Sequence, residues 1–235
     1  MRKQIWRAVV TLLGLVFALF ASEVKSDEFY YAMIFGSQSK PKLLQYTHTW
    51  ATFIRAVGEG PDANSYPVYQ HTISWLPQSL DIRTWSLLPE PGVNLDLYQT
   101  LDAVYRDREH VTMWGPFRIH QVVYERSLRV KQILDSGVAE YRAISTPRNL
   151  LISDCIHAVA AVDPIFGRDH YPLVRIGKPA SRDIAREVMT RSVFDQWQGD
   201  NSWLISWLGL DRYPIEFVLP QHIPKQTCFL CRCPD

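Results

Sequence analysis

The sequence has few cysteines, and they are unevenly placed. Three of the four lie in the last eight positions (Cys228, Cys231 and Cys233), so Cys155 is the single cysteine in the body of this 235-residue chain. A chain of this length can bury a core that needs no disulfide staples. Cys155 is therefore a buried inert thiol, the partner of a distant tail cysteine, or a reactive nucleophile.

The chain also lacks an excess of either charge. It has 25 Lys and Arg against 24 Asp and Glu, which gives a formal net charge of +1. Nothing in this balance favours a nucleic-acid partner. The basic residues of 106–108 and 126–129 alternate with acidic ones, which is typical of solvated helix faces. Eight Trp and eleven Tyr favour a folded globular chain over a disordered one.

Several signatures of known chemistry are missing. The sequence contains no His-Glu-x-x-His, no Gly-x-Ser-x-Gly, no phosphate-binding glycine loop and no EF-hand spacing, and we expect no cofactor. The tail offers weak metal ligands in His222, Cys228, Cys231 and Cys233. Their spacing is too tight for two separated zinc-ligand pairs, so a disulfide with one leftover thiol or a frayed tail is the alternative.

The N-terminus has the layout of a secretory signal peptide. Residues 1–7 carry positive charge, and residues 8–21 form an apolar run without a charge. The run is shorter than the roughly 20 residues that span a bilayer. We therefore predict a signal peptide over 1–26, cleaved after Ala21 or Ser26, an exported protein (periplasmic or extracellular) and no transmembrane span after cleavage.

Two predicted strands each carry a histidine. Apolar and polar residues alternate over 47–57, which contains His48, and over 68–76, which contains His71. Glycines and prolines over 58–67 predict the loop between them. We expect the two strands to pair in antiparallel fashion.

The rest of the chain predicts helices and two further strands. Residues 29–36 favour a central strand and residues 213–219 a closing one. Helical spacing predicts a helix over 95–106 with Asn94 as its N-cap, and Ser181 is expected to cap a later helix. A clear helix over 118–136 completes the pattern.

This order of elements predicts the α+β class, with an antiparallel sheet packed against helices. Residues 27–220 form one domain, since no internal boundary is sharp, and residues 221–235 form a cysteine-containing tail.

Cys155 lies where a helix is expected to begin, in Ser153-Asp154-Cys155-Ile156-His157. A helix N-terminus stabilises a thiolate, and a neighbouring imidazole can take the thiol proton. His48 or His71 could supply that imidazole, with the other orienting it. His157 is expected to be a core or supporting histidine, because it is two positions beyond Cys155 and points to another side of the helix.

Histidines on two strands followed by a cysteine that opens a helix resemble the circularly permuted papain-like enzymes. These relatives of the NlpC-type peptidoglycan hydrolases include the lecithin:retinol acyltransferase group. Asp154-Cys155-Ile156-His157 is similar to the Asn-Cys-x-His motif of that group, with Asp for Asn. The resemblance implies Cys155 as nucleophile, His48 as base and His71 as orienting residue.

The resemblance also implies a thiol hydrolase or acyltransferase that forms an acyl-enzyme on an amide or ester carbonyl. The substrate would be a cell-wall peptide or a lipid acyl group. The competing hypothesis is a non-enzymatic exported domain that binds a partner through an aromatic-rich surface, with Cys155 buried.

One expectation weakens the enzyme hypothesis. If residues 58–67 close a simple hairpin, His48 lies opposite Leu76 or Pro77 and not opposite His71. A bulge or a lopsided loop would be needed to bring the histidines together. In its absence, one histidine would act alone with help from Tyr46, Gln78 or Asp81.

Overall fold

The computed structural model describes residues 27–58, 65–145, 150–162, 176–188 and 200–223. The predicted signal peptide over 1–26 and the tail cysteines lie outside these ranges. None of the helices within them is both long enough and apolar enough to cross a bilayer.

The described residues form nine strands and five α-helices, numbered in chain order. The strands are β1 (Asp27–Gln38), β2 (Thr47–Gly58), β3 (Val68–Ile73), β4 (Trp75–Pro77), β5 (Glu90–Asn94), β6 (His110–Arg118), β7 (Glu140–Tyr141), β8 (Ile152–Ser153) and β9 (Ile215–Val218). The helices are α1 (Leu97–Arg106), α2 (Gln121–Asp135), α3 (Cys155–Ala160), α4 (Lys178–Glu187) and α5 (Trp203–Trp207).

A five-stranded sheet in the order β3-β2-β1-β6-β9 is the centre of the fold. The prediction that β1 is central is confirmed, and so is the antiparallel pairing of the two histidine strands, β2 and β3. The closing strand β9 runs parallel to β6. A second sheet, β4-β5-β7-β8, also contains one parallel pair. The α+β class is confirmed, with sheets of mostly antiparallel strands and one parallel pair in each sheet.

The central sheet is buried on both faces, because helices pack on each of them. Successive side chains of a strand point to opposite faces, so odd- and even-numbered residues belong to different sides. The even-numbered residues of β1 and the odd-numbered residues of β2 and β3 face α2, α3 and α4. We call this side the cysteine face, since it carries Cys155. The odd-numbered residues of β1 and even-numbered residues of β2 face α1 and α5. We call that side the glutamate face, since it carries Glu109.

Two helix starts differ from the prediction. The N-cap of α1 is Asp96, whose side chain accepts from the Gln99 backbone in a capping box. Asn94 instead accepts a hydrogen bond from the Ser74 N–H at 2.8 Å, and so links β5 to the break between β3 and β4. Ser181 does not cap α4 but lies within its first turn.

A glycine lets α4 lie close against the sheet. Ser181 of α4 packs directly over Gly36 of β1 and lies 2.9 Å from the hydroxyl oxygen of Thr49. A Cβ atom on Gly36 would lie only 2.4 Å from Ser181 Oγ. The close approach of this helix therefore depends on the missing side chain.

Candidate functional site

Cys155 begins α3, as predicted, and is buried there with 8 % of its surface exposed. The backbone N–H groups of Thr49, Cys155 and Ile156 face its sulfur and favour the thiolate. Burial outweighs them, and with the nearby Asp154 carboxylate it raises the pKa of the thiol to about 12. A reactive cysteine needs the opposite shift, so this thiol is protonated at neutral pH.

The residues next to Cys155 form a buried polar cluster that the sequence did not reveal. Asp154 Oδ1 accepts from the His157 N–H at 2.8 Å, and Asp154 Oδ2 lies 2.6 Å from His157 Nδ1. The Ser145 hydroxyl lies 2.7 Å from Asp154 Oδ2 and 2.9 Å from His157 Nδ1. His157 thus supports the start of α3, in line with its expected supporting role.

His48 lies on the glutamate face, which is the side of the sheet opposite Cys155. Its ring stacks on Trp50 with 5.3 Å between centroids, and its Nε2 lies 2.8 Å from the hydroxyl oxygen of Ser74. Ser74, and not Tyr46, Gln78 or Asp81, is thus its hydrogen-bond partner. Burial lowers the pKa of His48 to about 3, so the ring is neutral.

His71 lies on the cysteine face but is held among aromatic rings. It stacks on Phe53, lies edge-on to Tyr124, and places Nε2 2.8 Å from the hydroxyl oxygen of Ser127. Burial, followed by the charge of Lys131, lowers the pKa of His71 to about 4. These contacts describe a neutral core histidine.

The strand register separates the three predicted site residues. His71 pairs with Phe53, so His48 is five positions away along β2 and on the other face of the sheet. Cys155 approaches the sheet at Thr49, which is four positions from Phe53, or about 13 Å along the strand. The structure therefore does not bring Cys155, His48 and His71 together. The β2–β3 register separates the two histidines, as a simple hairpin predicts.

The sequence missed a second titratable group that accompanies His48. Glu109 is 6 % exposed, and its Oε2 has no hydrogen-bond partner among the described residues; the same holds for His48 Nδ1. Both side chains line a cavity of about 120 Å³. Burial raises the pKa of Glu109 to about 7, partly opposed by the Ser37 hydroxyl, while Asp107 adds to the rise.

A sequence signal for Glu109 does exist. Glu109 directly follows the charged residues of 106–108, for which the sequence predicted a solvated helix face. Counting back in steps of two from Val111 and Met113, which are buried on the glutamate face, assigns Glu109 to that face.

Metal binding at the tail stays a prediction. His222 lies within the described residues, whereas Cys228, Cys231 and Cys233 do not. The described ranges contain no group of three or more His, Cys, Asp or Glu that could hold a metal ion.

Comparison with known proteins does not assign the chain to a family. No protein-family model matches the sequence, and neither a curated protein nor a solved structure gives a significant match.

Proposed function

We propose that this chain is an exported, non-enzymatic binding domain that contacts a lipid surface through one apolar loop. The observation that carries the proposal is the exposure of Trp85, Leu87 and Leu88, at 79 %, 80 % and 77 % of their surfaces. These residues, within four consecutive positions, are called the apolar loop below. A contiguous exposed apolar patch on a folded domain marks an interaction surface.

The apolar loop has an ordered base and satisfies part of its own backbone. Arg83 and Glu90 form an ion pair at 2.7 Å across the base. The Ser86 N–H donates to the Arg83 carbonyl, and the Ser86 hydroxyl donates to the Leu88 carbonyl, both at 3.1 Å. Internal hydrogen bonds lower the cost of moving this backbone out of water.

The chemistry of the apolar loop favours a lipid interface as its partner. Indole rings prefer the boundary between water and hydrocarbon, where the ring is buried and its N–H stays hydrated. Transfer of one large apolar side chain out of water contributes about 2 kcal/mol, so Trp85, Leu87 and Leu88 together contribute at most about 6 kcal/mol. Reversible binding follows, since part of this gain offsets the cost of association.

Sedimentation with vesicles tests the proposal. The mature chain is mixed with phosphatidylcholine–phosphatidylglycerol vesicles, and the bound fraction is measured for wild type and for the triple variant Trp85→Ser, Leu87→Ser, Leu88→Ser. We expect wild type to sediment with the vesicles with a blue shift of its tryptophan fluorescence. The triple variant should remain in the supernatant.

Trp207→Ala is the matched control, because Trp207 is an exposed tryptophan (49 %) on α5, in a different segment of the chain from the apolar loop. It should bind vesicles as well as wild type does, and all variants should keep the wild-type melting temperature. Equal sedimentation of wild type and the triple variant would show that the apolar loop is not a lipid contact.

A thiol hydrolase or acyltransferase of permuted papain-like architecture is the second candidate. The observation that favours it is the set of three backbone N–H groups facing the Cys155 sulfur, which would stabilise a thiolate nucleophile. This candidate needs an opening of α3 that exposes the thiol to a cell-wall peptide or a lipid acyl group and to a base.

Alkylation separates the two candidates. Iodoacetamide labelling of Cys155 in the folded protein, followed by mass spectrometry across pH, should be slow at neutral pH if the thiol is a core residue. The unfolded chain should label normally. Fast labelling of the folded protein at a pH below about 8, where an ordinary thiol of pKa about 8.5 is mostly protonated, would instead favour the enzyme.

A further inference from the structure

A groove beside β9 combines basic side chains with an apolar floor. Its volume is about 380 Å³, within the usual range of ligand pockets. One wall is α4 and the other is the edge strand β9 with the turn that follows it. The predicted metal ligand His222 lies in this turn and lines the groove.

Three basic residues of α4 line the groove together. Lys178, Arg182 and Arg186 recur every four residues, which places them on one side of the helix. Lys178 is also the first residue of α4, so the positive end of the helix dipole lies at the groove. The first turn contains no acidic residue and the N-cap Gly177 has no side chain to offset that charge.

Two carboxylates balance part of this charge. Glu216 of β9 binds Lys178 at 2.6 Å and accepts from the Thr112 hydroxyl at 2.8 Å. Asp183 lies 3.7 Å from Arg186 and 4.0 Å from Arg182. Glu216 thus pairs with Lys178, whereas Arg182 is half exposed and 4.0 Å from Asp183, so its guanidinium can still bind an anion in the groove.

The floor of the groove is apolar. Its apolar lining residues are Trp114 of β6, Val218 of β9, Ile223 after the following turn and Pro179 at the start of α4. An anion held by the arginines would therefore rest its body on these side chains. The guanidinium groups of Arg182 and Arg186 offer paired N–H donors that suit a carboxylate.

We propose that the groove between α4 and β9 binds a monocarboxylate that carries an apolar or aromatic body. Such a group is found in small aromatic or aliphatic acids and at the C-terminus of a peptide. Arg182 holds the carboxylate with Arg186, and the body packs on Trp114 and Val218. This binding site is separate from the apolar loop, so it does not depend on the proposed contact with lipid.

Calorimetric titration with phenylacetate and with its neutral counterpart phenylacetamide tests the charge requirement. We expect phenylacetate to bind, with an affinity that falls when NaCl is raised to about 0.5 M, and we expect phenylacetamide not to bind. Acetyl-alanyl-phenylalanine with a free or an amidated C-terminus separates the two sources. Tighter binding of the free peptide than of phenylacetate would identify a peptide C-terminus, and the reverse would identify a small acid.

Charge-removing variants test the residues. Arg182→Gln and Arg186→Gln should each weaken phenylacetate binding about tenfold, the usual effect of losing one charge-assisted hydrogen bond. The matched control is Arg129→Gln on α2, whose side chain is 72 % exposed, and it should bind as wild type does.

Three results would overturn the proposal. The first is equal binding of phenylacetate and phenylacetamide, and the second is equal weakening by Arg129→Gln and Arg182→Gln. The third is the absence of a binding isotherm for wild type up to about 10 mM phenylacetate. Arg182 is half exposed, so its variant should fold, which an unchanged melting temperature would verify.

Discussion

The buried polar residues on the two faces of the central sheet differ in their surroundings. On the cysteine face, Asp154 accepts hydrogen bonds from the His157 N–H and the Ser145 hydroxyl at the start of α3, and His71 packs among aromatic rings with its Nδ1 unpartnered among the described residues. On the glutamate face, His48 and Glu109 each leave one polar atom without a partner beside a cavity. The hydrogen-bonded cluster around Asp154 therefore stabilises the fold, whereas the charged forms of His71, His48 and Glu109 reduce its stability, the last two beside a cavity.

Strand parity decides which histidine lies on which face. His71 pairs with Phe53, an odd-numbered residue of β2, so His48 at an even-numbered position of β2 lies on the other face. A slip of one residue in the pairing of β2 with β3 would have placed both histidines on the glutamate face, on the side of the sheet opposite Cys155.

The largest expected effect concerns the two histidines and acid. Their pKa values of about 3 for His48 and about 4 for His71 lie below the unfolded value of 6.5. Their neutral forms contribute stability above pH 6.5 that is lost as pH falls toward the folded pKa. At full shift this is up to about 5 kcal/mol for His48 and about 3 kcal/mol for His71.

Urea unfolding across pH measures this loss. His48→Gln and His71→Gln should each flatten the fall of the unfolding free energy below pH of about 6.5, His48→Gln more. If His71→Gln kept the wild-type slope of unfolding free energy against pH, His71 would titrate in the folded protein as it does in the unfolded chain. That result would contradict its placement in the core.

The second effect contrasts the N-caps on the two faces. Asp154→Ala should lower the free energy of unfolding by about 3 kcal/mol, because it leaves buried donors on His157 and Ser145 without their acceptor. Asp96→Ala removes the exposed cap of α1 and should cost about 1 kcal/mol. Chemical denaturation measures both, and equal costs would contradict the idea that the cluster around Asp154 is structural.

The third effect is the pH dependence of Glu109, which has the opposite sign to that of His48. Its folded pKa of about 7 lies above the unfolded 4.5, so its contribution is full below pH 4.5 and is lost as pH rises to about 7. In wild type, the free energy of unfolding should fall by about 3 kcal/mol between pH 4.5 and about 7 through this group, and Glu109→Gln should remove that fall. The control Glu125→Gln on the exposed side of α2 should keep the wild-type pH profile.

Between pH of about 4.5 and 6.5 the slopes from His48 and Glu109 cancel, because one unfolded group gains the proton that the other loses. Glu109→Gln should therefore make the protein more sensitive to acid in that range. A wild-type slope there would show that Glu109 is not the neutral partner in the cavity.

The smallest effect concerns Cys155 itself. Cys155→Ala should lower the free energy of unfolding by about 1 kcal/mol, as for a small core side chain, and should leave vesicle binding unchanged. Thermal unfolding and vesicle sedimentation measure the two outcomes. Loss of vesicle binding in this variant would mean that α3 and the apolar loop act together.

Much of the fold could be predicted from local patterns. The apolar run over 29–36 identified β1 as central, alternation paired the strands of His48 and His71, and apolar spacing located α1 and α2 within a few residues. The closing strand β9 was also predicted, but its parallel pairing with β6 and the second sheet were not, because pairing between distant segments leaves no local pattern. Ser181 was taken for a cap, since a serine before an apolar helix face has the same pattern whether it caps or packs.

The candidate site was harder to predict because it depends on register and burial. The position of Cys155 at the start of α3 followed from Asp154 and the apolar run after it. Its high pKa did not, since burial is a property of the whole fold. Glu109 was missed because it follows a charged helix end, where solvation is the usual outcome.

Because Gly36 contacts Ser181 of α4, a substitution at Gly36 can alter the groove from a position outside it. Gly36 lies beneath α4 and is not among the residues that line the groove, yet an added methyl group would meet both Ser181 and the backbone at Lys178. Gly36→Ala would lift the start of the helix that carries Lys178, Arg182 and Arg186. Sequence drift at this one buried position would then alter ligand preference while every residue lining the groove stayed the same.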